Sequence, residues 1–390
     1  MVYITLNTCS SFPQNCGSFT NIAKGNKFYY NVQRKGVLRM KQFFGTSNRG
    51  DLREAVNGLK SPEAILLLSN ADQFEEHVAQ LEDAFPGVPS IGCIDMCYDT
   101  KVVEKGVGVV AYEGVTAVAG VLEQVSTMPV KYIERFMKDV DKVKAGSNDT
   151  VCIDFCTGND ACVLTTIAGV LNNKRISLVG GTGDAGKVSV NGKVYSDADA
   201  YVLIKNNNGK VGVYKENIYR PMEEGYRMIA SKTDRSSYTM GELNSKSAKQ
   251  VYMDLLQIKE EDIGTQTFRN PFGRFNGQDV SIIAIKDVVG SALSCYRQIN
   301  DSDVLTLLEL KDYHEVVEET VSQIKNDFSH ISGVFSINCL FRYLLFSQNK
   351  DVQKYLDAMG QLGNHVGMVG YGEHYNNQFL NQTMTCVVFE

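Results

Sequence analysis

Residues 331–389 decide the fold. They open with ISGVFSIN (331–338), run through an apolar helical pattern over 339–362, and close with HVGMVGYGE (365–373) and TMTCVVF (383–389). The first and last pieces are short, rich in β-branched residues and bounded by polar ones, which is strand composition. A strand, a long helix and a second strand form a crossover, which makes the two strands parallel and the connection right-handed. The last strand is then expected to return antiparallel through a hairpin.

The same order recurs upstream. TVCIDFCTG (150–158), a helix over 160–172, ISLVGG (176–181) and ADAYVLIK (198–205) form one copy. AILLLSN (64–70), a helix over 72–85, SIGCIDMCY (90–98) and GVGVVAYEG (106–114) form another. Helical patterns over 49–59, 131–144 and 311–328 precede the three copies. Identity between copies is slight, so the repeat is one of pattern. The predicted fold class is α/β (mixed α+β): repeated strand–helix–strand–strand units forming mixed sheets flanked by helices, in two halves.

Between the second and third copies the pattern changes. SAKQVYMDLLQI (247–258) reads as a helix and 270–299 as a β-meander with Gly turns. Loop-like composition at NNNGK (206–210) and YRPMEEG (219–225) marks a boundary. The expected divisions are an N-terminal segment 1–45, a first domain 46–215 and a second domain 216–390. Residues 1–36 show no regular pattern.

Composition excludes several classes. The net charge is -6 and no basic cluster stands out, which argues against nucleic acid as a partner. No apolar run approaches the ~20 residues that span a bilayer, and no export signal is visible. Ten cysteines in such a chain read as reduced thiols in the cytoplasm. Cys9 and Cys16 come nearest to a disulfide pair.

The glycine-rich GTGDAGK (181–187) has phosphate-loop and dinucleotide-loop spacing. Both need a helix immediately afterwards, and VSVNGKVYSD (188–197) reads instead as a hairpin around Asn191-Gly192. CIDMC (93–97) and CIDFC (152–156) resemble metal motifs. On a strand, though, four residues place the two sulfurs about 13 Å apart, too far for one zinc ion. They read as buried small thiols. His77 and His314 fall on predicted helix surfaces, and no histidine has a helix-spaced partner. There is no Gly-x-Ser-x-Gly elbow.

The third copy carries the candidate site. Asn338 is placed to cap a helix beginning at Cys339, and Cys339 at that helix start is a candidate low-pKa thiol. Arg342 falls in the first turn, where a cation opposes the helix dipole. Its neighbours in LFRYLLF are apolar, so it is expected to be buried and to need an anionic partner. Glu373 is that partner, or else Arg342 and the helix N–H groups hold a carboxylate while Glu373 holds an amine. Gly370, Tyr371 and Gly372 complete the facing strand end, with the glycines allowing a close backbone approach.

These residues, with FPGVPSIGC (85–93), GVGVVAY (106–112), VGGTGD (179–184), NGKVYSDADAYVLI (191–204), ELNSKSAKQVYMDLL (242–256), NPFGR (270–274), NCLFR (338–342), GYGE (370–373) and NQTMTCVVF (381–389), make the chain resemble the FIST domain family. The resemblance implies two consecutive halves and small-ligand sensing, with amino acids the usual suggestion. It implies signalling to a histidine kinase, cyclase or chemoreceptor. No such output module is visible in the sequence, so a separate partner is expected. It also implies that haem binding with nitric-oxide sensing is a possible alternative, for which His374, or else His365, is the candidate axial ligand. The expected protein is therefore a non-enzymatic sensor needing no cofactor. Its ligand-binding residues are Asn338, Cys339, Arg342, Tyr371, Gly372 and Glu373. A Cys339-dependent enzyme is the third reading.

Overall fold

Three strands whose side chains are buried at every position, Ala64–Ser69, Thr150–Cys156 and Gly333–Cys339, organise the chain. Strands enclosed on both faces read as continuous apolar runs. The computed structural model describes residues 39–390 apart from 147, 223–225 and 277–278. The reading of 1–36 and the Cys9–Cys16 pairing lie outside the described residues. The eight described cysteines are free thiols.

Each lead strand pairs in parallel with the strand that follows its helix: Ser90–Ile94, Ser177–Thr182 and His365–Gly370. On its other side it pairs antiparallel with the return strand, Val107–Glu113, Ala198–Asn206 or Thr383–Phe389. The return strand thus joins the lead strand, not its predecessor in sequence, which corrects the hairpin expected there. Beyond each return strand lies one that precedes the unit in sequence: Lys41–Ser47, Val115–Glu123 and Val211–Asn217.

The segment between second and return strands is given to a neighbouring sheet. Cys97–Tyr98 and Val102–Val103 of the first unit join the third sheet. Asp184–Val190 and Lys193–Tyr195 of the second join the first sheet. Glu373–Tyr375 and Gln378–Leu380 of the third join the second sheet. Each six-stranded sheet is therefore completed by another unit. The expected strands 90–98 and 365–373 each break where the chain changes sheet, so Cys93 and Cys97 of CIDMC lie in different sheets. GTGDAGK is a strand, a bend and a strand, and Asn191-Gly192 makes the hairpin turn with both residues at positive φ.

The three sheets face a common core, with Leu66 and Val110 from the first, Ile153 and Val202 from the second, and Phe335 and Val387 from the third. Helices Phe74–Ala84, Ile133–Val143, Asp160–Lys174 and Tyr313–Asp327 cover the outer faces. The helix expected over 339–362 is two, Leu340–Gln348 and Val352–Gly360, with Lys350 at φ 61° between them. The helix expected over 49–59 is the single turn Leu52–Ala55.

Residues 219–310 are an insertion within the third unit, between its edge strand and its first helix. They form a fourth sheet of nine strands with the helix Ala248–Leu256 and a core of their own.

Candidate ligand-binding site

The chain crosses between sheets at the carboxyl ends of the lead strands, where open α/β sheets leave crevices. At the second sheet this crevice is roofed by the inserted sheet, enclosing a cleft of about 650 Å³. Its walls are Asn159–Cys162 at the start of one helix, Cys339–Phe341 at the start of another, and Arg274, Tyr296 and Arg297 from the insertion. Neither helix start carries a side-chain capping hydrogen bond. The two positive helix ends therefore converge on the cleft. Phe341 packs edge-on against Tyr296 at 5.1 Å.

Arg297 has no ion-pair partner within bonding distance among the described residues, though the Asp160 charge acts on it. Its guanidinium lies 5.2 Å over the Phe379 ring, and its buried Nη1 donates to no acceptor among the described residues. Burial, then the neighbouring Arg274, lower its pKa to about 10, so it stays cationic at neutral pH. Arg274 is occupied by Asp303 at 2.8 Å. An arginine desolvated in this way calls for an anion.

The cleft's acid is Asp160. It accepts from Thr182 Oγ1 and from His374 Nε2 (2.8 Å). His374 Nδ1 donates to Asp154 Oδ2 (2.7 Å). Carboxylates only accept, so both ring nitrogens carry protons and the ring is an imidazolium. Burial works against that charge, but the two aspartates hold its pKa well above the ordinary 6.5. Burial also pushes Asp160 up, and the His374 hydrogen bond and charge outweigh it, leaving Asp160 ionised. Asp199 completes the cluster. Burial and then the Asp154 charge raise it well above 3.8, so it holds a proton beside Asp154. Gly180 makes the cluster possible, because a Cβ there would stand 1.6 Å from Asp154 Oδ1.

Of the residues expected from sequence, Cys339 and Tyr371 line the cleft. Gly372 lies at its edge through its carbonyl, which accepts from the Thr182 N–H at 3.0 Å. Asn338 does not cap the helix. The N-cap is Cys339, and the Asn338 Oδ1 is buried without a partner among the described residues. Arg342 is fully buried, as expected, but it pairs with Glu216 rather than Glu373. Glu373 is carried to the second sheet opposite Gly181, while Glu216, on the edge strand Val211–Asn217, meets the guanidinium. The Cys339 thiol is pushed well up by burial and then by Glu373, overriding the helix dipole expected to lower it.

The expectation for His77 also changes, while His314 lies exposed on its helix as expected. His77 is buried, bonded to Ser69 Oγ (2.7 Å) and the Gly50 carbonyl (2.8 Å), not solvated; His314 stands beside Asp351. His374 spends both nitrogens on aspartates, and the buried His365 gives Nε2 to Ser336 Oγ at 2.8 Å. With both nitrogens engaged, His374 does not fit as an axial haem ligand.

Burial raises Glu373 to about 8, against hydrogen bonds from Thr383 and Cys339 that lower it, so it is neutral at physiological pH. Between 4.5 and about 8 the unfolded chain has lost a proton that the folded chain keeps. Stability from this group is full below 4.5 and is lost as pH rises through that window. Glu373→Gln is expected to remove a slope of up to roughly 1.4 kcal/mol per pH unit. Urea unfolding of both proteins across the window measures it, and parallel curves refute it.

Sequence reasoning missed Asp160, Thr182 and Arg297. CTGND (156–160) ends a lead strand just as SINC (336–339) does, and that signal was available. Arg297 sits in an unremarkable SCYRQI (294–299), and only tertiary packing buries it.

Comparison with known families agrees with this architecture. The FIST N domain model matches residues 64–246 and the FIST C domain model residues 248–376. The chain belongs to the FIST family. Domains of this family are sensory. In FIST terms, the first model spans the first two units and runs into the insertion, and the second covers the rest of the insertion and the third unit up to the hairpin residue Asn376. No match was found among curated proteins.

Proposed function

We propose that this FIST protein is a non-enzymatic sensor for a small carboxylate-bearing molecule, an amino acid or close analogue, bound in the cleft between the second sheet and the inserted sheet. The observation that carries this reading is the cleft-lining Arg297, whose buried Nη1 has no acceptor among the described residues. Arg297 and the two helix starts take the carboxylate. Asp160, ionised in the same cleft, takes an amine, and the aromatic side chains Phe341, Tyr296 and Phe379 enclose the remainder. The reading needs no cofactor. The signal passes to a separate cytoplasmic partner such as a histidine kinase, cyclase or chemoreceptor.

A thermal-shift and calorimetric screen of amino acids and small carboxylates tests it, using protein shown by native mass spectrometry to be ligand-free. At least one should raise Tm. Arg297→Gln should weaken that ligand about 10- to 100-fold, as expected for loss of a charged hydrogen bond. If no member of the panel shifts Tm, or if Arg297→Gln binds as well as the parent, the reading fails.

A further inference from the structure

Far from the cleft, the second sheet ends in Val115–Glu123, a nine-residue edge strand hydrogen-bonded on one side only, to Ala198–Asn206. Its outer backbone groups at 116–123 have no backbone partner among the described residues. Edges of this kind are normally shielded, because they template pairing with another chain.

Beside the edge runs the helix Ile133–Val143. It presses close at Gly120, where an added Cβ would stand 2.2 Å from the Tyr201 hydroxyl and 2.9 Å from Asp139 Oδ2. A groove of about 460 Å³ opens between the two elements, floored by Val118 and Ala119. Its rim is cationic. Lys131, Arg135, Lys138 and Lys142 recur at helical spacing on one exposed face. Glu134 and Asp139 also line the groove, so its four cations outnumber its acids by two, and Asp139 is engaged by Lys142 and the Tyr201 hydroxyl. Lys131, Arg135 and Lys138 have no carboxylate partner among the described residues, and Lys142 shares Asp139 with the Tyr201 hydroxyl. The corresponding helix of the third unit, Tyr313–Asp327, carries Glu315, Glu318 and Glu319 instead, so the cationic rim is not repeated there.

We infer that this groove docks an extended acidic segment of a partner protein, which adds to Val115–Glu123 as a further strand. Main-chain pairing with the edge supplies the register, and the helix cations meet carboxylates along the added strand. An unpaired strand edge distinguishes this surface from a simple phosphate-binding patch. Nucleic acid or a lipid headgroup would use the lysines and leave the strand unpaired.

The experiment uses the whole chain and a fluorescein-labelled ten-residue peptide alternating Glu with Val and Thr. Three probes accompany it: the same peptide with prolines at alternate positions, a single-stranded DNA oligomer, and phosphatidylserine vesicles. The alternating peptide should bind saturably and slow amide exchange within 115–123. The proline peptide should bind at least tenfold more weakly. The double variant Arg135→Glu, Lys138→Glu, at exposed positions and with Tm checked against the parent, should lose at least tenfold in affinity. The inference is overturned if the alternating peptide does not bind, if the proline peptide binds equally, if exchange in 115–123 is unchanged, or if DNA or vesicles bind in its place.

Discussion

Arg342→Met is expected to cost about 3–5 kcal/mol of stability, because it leaves the Glu216 carboxylate buried and unpaired. Both side chains are fully enclosed, and the guanidinium also stacks over Phe346 and Tyr355 at 5.3 and 5.8 Å. Burial alone would lower the Arg342 pKa, and the Glu216 charge more than restores it, which is the mark of an interdependent pair. The double variant Arg342→Met, Glu216→Gln should recover much of the loss, since replacing both members of a buried pair is far less costly than removing one. Urea unfolding of the two single variants and the double variant measures the coupling. Additive losses would mean that the pair is not interdependent.

His374→Leu is expected to be at least as damaging, about 4 kcal/mol or more. It strands two carboxylates, Asp154 and Asp160, where one imidazolium now serves both. It also loosens the hairpin Glu373–Tyr375 from the second sheet at the wall of the ligand cleft. The sign with pH follows from the raised folded pKa. The clamp contributes fully below 6.5 and progressively less above it, where the unfolded imidazole is already neutral. Nitrogen NMR of the imidazole gives an independent check. Both ring nitrogens of His374 should stay protonated through neutral pH, and a neutral ring at pH 7 would refute the assignment.

The lead strands were legible because enclosure on both faces wrote them as unbroken apolar runs, AILLLS and TVCIDFC. The burial of Arg342 was legible for a similar reason, its apolar neighbours. Its partner was not, since Glu216 lies 126 residues earlier on an edge strand whose alternation says nothing about which cation it meets. The hairpins exchanged between sheets were equally hidden. Cys97–Tyr98 is two residues long, too short to show a period, and it pairs with Gly367 and Met368. Once that exchange is missed, the cleft is missed with it, because Asp160 and His374 meet only after a separation of 214 residues. Arg297 was hidden by the insertion, where one arginine on a strand has no local mark of burial.

The circulation of hairpins has a consequence for how the chain is made. When the ribosome has finished the first unit, its sheet still lacks Asp184–Val190 and Lys193–Tyr195. When it has finished the second, that sheet still lacks Glu373–Tyr375 and Gln378–Leu380. The third sheet holds a place for a segment synthesised some 270 residues before its pairing partner. Domains that fold as independent units can settle one after another as they emerge. Here the second and third sheets are not whole until the last residues are out, and His374, the residue that locks the cleft, is among the last to be translated. Nascent chains arrested before residue 373 should therefore carry two open sheets and an incomplete cleft, and a cut between the two FIST regions should yield fragments that regain structure only together.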